Sequence, residues 1–333
     1  MAVLPLEVRG LVTELATERG PLRAVDGVDL SLLPGRTLAL VGESGCGKTL
    51  TALSILQLLP AGGRLVQGSV RLAGEELVGA KAARLQQLRG NRLAMIFQEP
   101  MSALNPVLTV GAQLAEGLQI HQGLGAAEAR MRAVALLAEE GFDAPERQAA
   151  QYPHQLSGGM RQRVLIAMAL ACAPDVLMAD EPTSALDAGI QQRLFARLAA
   201  LRQERGLALL WVTHDLVRAR AHADELAVMY AGRIVERGPA QAVLARPRHP
   251  YTQALWQCAL HVGGRDVASK RSRLPTIPGA VAGSMAWRAG CAYRERCPRA
   301  SERCAQIAPI LEGGAHPAAC HHPLLDGDAG VWA

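Results

Sequence analysis

Short apolar runs recur along the chain, separated by stretches with helical periodicity. "TLALVG" (37–42), "LAMIF" (93–97), "VLMAD" (176–180), "LALLWVT" (207–213) and "LAVMY" (226–230) have the length and composition of buried strands. Strands apolar on both faces, each followed by a helical stretch such as the one opening near Lys48, predict a largely parallel sheet covered on both sides. From about 107 to 172 this alternation lapses. "TVGAQLAEGLQIHQ" (109–122) and "AAEARMRAVALLAEEG" (126–141) read there as consecutive helices, so a helical insertion in an α/β body is expected. Beyond about 238 the texture changes again, "GPAQAVLARPRHPYTQALWQCAL" leading into a Pro-, Gly- and Cys-rich tail, with a boundary near 240–250.

Composition narrows the class. At 333 residues, half of them apolar and a fifth charged, the chain suits one large folded domain plus a smaller one. The net charge is +5 and the arginines are dispersed, which argues against nucleic acid as the principal ligand. The opening "MAVLPLEVRGLVTELATERG" carries Glu7 and Arg9 and has no long apolar core, so neither a signal peptide nor an anchor is expected. "VLIAMALACA" (164–173) stops at Pro174, too short to span a bilayer, so any membrane role must pass through a partner. Seven cysteines, an odd number with Cys46 inside a glycine-rich loop, do not read as a secreted disulfide framework and suggest the cytoplasm.

That loop, "GESGCGKT" (42–49), fits G-x-x-x-x-G-K-[ST] between an apolar strand and a helix. Gly42, Glu43, Ser44, Gly45, Cys46 and Gly47 would offer backbone N–H groups to phosphate oxygens. Lys48 would reach the β- and γ-phosphates, Thr49 would hold Mg²⁺, and Thr51 belongs to the same candidate site. Only Lys48, Lys81 and Lys270 are lysines among 35 basic residues, so this Arg-biased chain keeps a compact point charge here. In "VLMADEPTSALD" (176–187), Asp180 is expected to hold Mg²⁺ and Glu181 to accept a proton from the attacking water. Gln98 and His214, each after an apolar strand, are candidates to position the metal and water and to bond the γ-phosphate. Taken singly, such a Gln or His is more often structural. A second glycine-rich helix start, "LSGGMRQRV" (156–164), also suits an anion.

The phosphate loop, Gln98, "LSGG", "ADEP", "SALD" and His214 occur in the order of an ABC-type ATPase, which the chain resembles over about 40–215. The resemblance implies that Ser157, Gly158 and Gly159 bind the γ-phosphate of ATP held by a second ATPase subunit, identical or homologous. "IFQEPMSALNP" (96–106), "YPHQLSGGMRQR" (152–163) and "RHPYTQAL" (248–255) look like the dipeptide/oligopeptide/nickel importers. This implies a RecA-like P-loop domain over 1–240, with a helical subdomain at about 100–172, and an importer-type extension over 241–333. It also implies two transmembrane permease subunits, a periplasmic or extracellular solute-binding protein, and a peripheral place on the cytoplasmic face of the cell membrane. One departure is that residues 1–96 hold no Phe, Tyr or Trp to stack on adenine, Leu15 or Arg23 standing in the matching region.

Cys291, Cys297, Cys304 and Cys320 have gaps of five, six and fifteen residues, without the tight knuckles of structural zinc sites. Iron–sulfur ligation tolerates open spacing, and the resemblance implies a [4Fe–4S] cluster, because some peptide-importer ATPases hold one on four cysteines in this tail. Zinc, with His321 and His322 nearby, and unligated thiols stay open. The other thiols, Cys46, Cys172 and Cys258, read as small apolar residues. The rival to an importer ATPase is a soluble ABC ATPase acting on nucleic acid or ribosomes. The single cassette without a coiled-coil insertion disfavours it.

Overall fold

The computed structural model describes residues 3–18, 20–184, 186–263, 276–279 and 289–325. The chain opens with β1 (Leu6–Thr17), β2 (Gly20–Leu32), β3 (Thr37–Val41), α1 (Lys48–Ile55), β4 (Gly63–Leu72), β5 (Glu75–Glu76), α2 (Ala82–Leu88) and β6 (Leu93–Ile96). Helices follow: α3 (Pro100–Ala103), α4 (Val110–Gln122), α5 (Ala126–Glu139), α6 (Pro145–Ala149) and α7 (Gly158–Leu170). Alternation resumes with β7 (Val176–Asp180), α8 (Ala188–Arg205), β8 (Ala208–Thr213), α9 (Leu216–His222), β9 (Glu225–Tyr230) and β10 (Arg233–Pro239). The chain then forms α10 (Ala240–Ala245), α11 (Pro250–Gly263) and α12 (Glu302–Gln306).

Two compact units result. One comprises the residues up to Leu6, Leu32–Gly35 and Leu72–Trp211; the other comprises Glu7–Ser31, Arg36–Arg71 and the chain from Val212 onward. The cut differs from the sequence boundary near 240. Everything described beyond that boundary packs in the same unit as the 42–49 loop.

In the first unit β6 and β7 pair in parallel, Ile96 opposite Ala179, so the residues following both strands emerge at one sheet edge. Every residue of both strands is buried, as their unbroken apolar runs predict. The α4, α5 and α7 helices share a core of Val110, Leu114, Leu118, Ala133, Leu136, Leu137, Val164 and Leu165, closed by Phe142. Thr109 caps α4 by accepting from the Ala112 N–H at 3.3 Å, and Gly123 ends it in the left-handed region at φ +69°.

In the second unit β3 pairs with β9 in parallel, and β9 with β10 antiparallel. A further sheet sets β1 between β2 and β4. The tail returns to β10: the Arg237 N–H donates to Pro317 O at 3.1 Å and the Ala319 N–H to Val235 O at 2.8 Å. The five strands read from apolar runs are present within one residue at each end, and both helices of the 109–141 stretch are present. β1, β2 and β4 escape such a reading because their faces are mixed. Arg64, Val66, Gln67 and Arg71 of β4, for instance, leave much of that strand exposed.

Candidate nucleotide site

The phosphate loop leaves the end of β3, whose five residues are all buried. Three glycines permit its path. Gly42, Gly45 and Gly47 have φ of +155°, +78° and +111°. A Cβ on Gly42 would stand 2.3 Å from Met229 O, and one on Gly47 would stand 2.3 Å from Ala24 O. Gly47 is the N-cap of α1 and offers no side-chain cap, so the first N–H groups of that helix are left for a ligand. Ser44, Gly45 and Thr49 are exposed, whereas Cys46 lies buried under the loop and burial raises its thiol pKa. Thr51 is fully buried, its hydroxyl donating to Gly47 O at 2.9 Å. Gly47→Ala is expected to lower stability by at least about 2 kcal/mol through φ strain and the clash with Ala24, measured by denaturant unfolding; an unchanged midpoint would tell against this packing.

Lys48 is 6 % exposed, and its Nζ donates to Gly42 O at 2.8 Å and Glu43 O at 2.9 Å. The ammonium is therefore folded back over the loop that a phosphate would enter. Glu43 is held at its other groups as well. Its N–H donates to the Tyr251 hydroxyl at 2.9 Å, and its carboxylate accepts from Arg296 Nη1 at 2.7 Å and Nη2 at 2.9 Å. In the same unit exposed His214 follows β8 and precedes Asp215, the cap of α9.

In the other unit, exposed Gln98 follows β6, while Asp180 ends β7 with 1 % exposure and Glu181 comes next. The parallel β6–β7 register thus brings these three to one sheet edge, where open α/β sheets bind ligands. Glu181 has φ +46°, a left-handed conformation that non-glycine residues rarely adopt and that recurs at functional sites. Ser157 caps α7, its Oγ accepting from the Met160 N–H at 3.3 Å, and Ser157 and Gly158 are exposed. Asp187 likewise caps α8, accepting from the Ile190 N–H at 3.0 Å.

The ABC transporter family model matches residues 25–184, and that of the oligopeptide/dipeptide transporter C-terminal region matches residues 235–304. A probable peptide ABC transporter ATP-binding protein of Sinorhizobium fredii is 45% identical over 96% of this chain and 95% of its own. The chain belongs to the ABC transporter ATP-binding proteins. The dipeptide transport ATP-binding protein DppD of Escherichia coli is 41% identical over 96% of this chain and 97% of its own. Among solved structures, the dimeric ATP-binding cassette MJ0796 with ADP and phosphate aligns at TM-score 0.65 and 27% identity, covering 71% of this chain and 99% of that one. The fold is the P-loop ABC ATPase fold, and the subunit is an ATPase.

The cysteine tail of this ABC subunit does not fulfil the cluster expectation. Cys291, Cys297 and Cys320 are half-buried and Cys304 is buried. The four are near enough that all three others push up the Cys320 thiol, which burial chiefly lifts to about 11. Yet among the described residues no three His, Cys, Asp or Glu side chains converge as a metal site requires. The arrangement as it stands supports neither [4Fe–4S] nor zinc. The Nε2 atoms of His321 and His322 bond Ile307 O at 2.8 Å and Ser301 Oγ at 2.7 Å, while the His322 N–H donates to Cys320 Sγ at 3.4 Å. Sequence gaps state how much chain separates the cysteines, and burial favours the neutral thiol at Cys291, Cys297 and Cys320, with Arg299 opposing it at Cys297. Of the two candidates near adenine, Leu15 is half-buried and Arg23 pairs with Glu14 and Asp26, each at 3.4 Å.

Sequence reasoning missed the aromatic ground beneath the loop. Three of the four tyrosines, Tyr230, Tyr251 and Tyr293, meet with ring centroids 4.7–5.3 Å apart. Only their rarity in an aromatic-poor chain signals this. Fully buried Glu236 binds the Arg248 N–H (2.7 Å), the His249 N–H (2.8 Å) and His316 Nε2 (2.6 Å). His249 accepts from the Tyr251 N–H through Nδ1 at 3.0 Å, and burial lowers its pKa to about 4 against the opposing pull of Glu236. Below about pH 6.5 the unfolded chain takes up a proton that the folded chain refuses until about pH 4. Stability should therefore fall on acidification through that window, by up to about 1.4 kcal/mol per pH unit from this residue. His249→Asn, which keeps an acceptor near Nδ1, should flatten the acid slope of unfolding free energy; an unchanged slope would remove His249 as its source.

Proposed function

We propose that the chain energises uptake of peptides, or of nickel or another small solute, by hydrolysing ATP beneath a membrane permease. The carrying observation is the presence of both family regions on one chain, an ABC cassette at 25–184 and an oligopeptide/dipeptide transporter C-terminal region at 235–304. Relatives named for peptide and dipeptide transport match nearly the whole chain, which favours this reading over a ribosome- or nucleic-acid-directed ATPase. Residues 1–240 would be the ATPase domain, RecA-like with its helical subdomain at about 100–172, and 241–333 the importer-type extension. No described helix is long and apolar enough to cross a membrane. Attachment would therefore run through two permeases on the cytoplasmic face, with a second ATPase subunit and a solute-binding protein completing the assembly.

In the proposed reaction, water attacks the γ-phosphorus in line as the bond to the β,γ-bridging oxygen breaks, with Glu181 taking the water's proton. Gln98 and His214 orient that water and the γ-phosphate, and Lys48 neutralises the charge developing on the phosphate oxygens. Mg²⁺ carried with the triphosphate would add charge neutralisation, and Thr49, Gln98 and Asp180 are the residues proposed to hold it. Ser157 and Gly158, exposed at the start of α7, and half-buried Gly159 would close over ATP held by the partner.

The test is affinity capture of the Glu181→Gln chain with ATP in mild detergent, followed by mass spectrometry. Recovery of a polytopic permease and a second ATPase is the expected result. Recovery of ribosomal proteins without a permease would overturn the importer reading.

A further inference from the structure

We propose that Arg296 and Tyr251, from the chain beyond residue 240, are positioning residues of the phosphate loop and act on Lys48 through Glu43. The inference rests on nucleotide binding by the 42–49 loop and is independent of which solute is carried.

Glu43 has three groups able to hold it in place, and each is engaged. Its N–H is given to Tyr251, its carbonyl accepts from Lys48, and its carboxylate receives both Nη atoms of Arg296. A bidentate guanidinium–carboxylate pair fixes direction as well as distance. Arg296 is itself immobilised. Its Nε donates to Pro278 O at 2.7 Å, and its Nη2 also donates to Ile277 O at 3.2 Å. Its guanidinium lies over the Tyr230 and Tyr293 rings, 5.8 and 5.9 Å from their centroids. The Arg296 side chain is 5 % exposed and that of Glu43 26 %, so solvent reaches the pair chiefly from the carboxylate side.

The contacts form one relay, from a clamped guanidinium to the Glu43 carboxylate and from the Glu43 carbonyl to Lys48 Nζ. Loop residue and clamp are 253 positions apart in the chain. If the clamp is released, the Glu43 carbonyl that stations Lys48 keeps its turn bond from the Cys46 N–H at 3.3 Å but loses the side-chain anchor that fixes its direction. The ammonium then has to be repositioned when the β- and γ-phosphates arrive, which weakens binding more than the later chemistry. A simple staple holding the tail to the loop would behave differently, lowering the melting temperature and leaving ATP affinity untouched.

ATP titration and steady-state hydrolysis of the full chain separate the two. Arg296→Gln is expected to raise the Kd and KM for ATP about tenfold, with kcat at saturating ATP changed by less than about threefold. Glu43→Gln should do the same, and the double variant should be no worse than the poorer single one, because both remove one contact. Arg296→Lys, keeping charge without the fork, should fall between. Tyr251→Phe, keeping the ring cluster, should raise Kd by about two- to fivefold. Multiplicative effects in the double variant, or unaltered ATP affinity in a folded Arg296→Gln, would overturn the proposal. Should Arg296→Gln fail to fold, unchanged affinity in both Glu43→Gln and Tyr251→Phe would overturn it equally.

Discussion

Replacing Glu181 by Gln is expected to lower ATP turnover by at least about 10²-fold while leaving ATP binding intact, the loss that removal of a general base produces. The substitution is close to isosteric at a position where the backbone is already committed. Glu181 follows a fully buried strand and holds φ at +46°, a conformation costing about 1–3 kcal/mol for a non-glycine residue. Gln must bear the same strain, so the comparison isolates the carboxylate. Glu181→Gly adds a second reading, since it removes strain and carboxylate together and should raise the unfolding midpoint while also abolishing turnover. Phosphate release and equilibrium nucleotide binding measured on both variants test the assignment. Normal turnover in Glu181→Gln would remove Glu181 as the base.

Lys48→Ala is expected to weaken ATP binding by about 10- to 100-fold, the range for losing hydrogen bonds to a charged group. The observed bonds of Nζ to Gly42 O and Glu43 O give this change a second effect. They tie the ammonium to two loop carbonyls, so the variant should also loosen the loop and lower the unfolding midpoint. The two effects part on ligand addition. ATP should raise the midpoint of the natural protein, as any ligand of the native state does, and should raise that of Lys48→Ala far less at the same concentration. Fluorescent-nucleotide titration with thermal unfolding at fixed ATP measures both. Unchanged affinity would displace Lys48 from the phosphate site.

The local structure of the candidate site was legible in the chain because its parts are short-range. Gly42, Gly45 and Gly47 are needed where a strand turns sharply into a helix, and their positive φ values follow from chemistry confined to a few neighbouring residues. Ser157 and Thr109 cap the helices that begin beside them, and unbroken apolar runs became fully buried strands for the same short-range reason. Their order along the chain sufficed to suggest the family that the comparisons then showed.

What depended on distant residues was not legible. Nothing near Arg296 in the sequence points to Glu43, and the clamp exists because the chain beyond β10 packs back into the unit that carries the loop. The meeting of Tyr230, Tyr251 and Tyr293, and the burial of Glu236 among the amides of Arg248 and His249 and the ring of His316, are of the same kind. The four tail cysteines show the converse, a pattern that suggested a cluster although no three ligands converge among the described residues. The sequence by itself determined the loop, the buried strands and the family, since backbone geometry and burial periodicity are set by near neighbours. Only the tertiary structure decided what braces the phosphate loop and where the cysteines stand, because separation along a chain that turns back on itself fixes no distance between side chains.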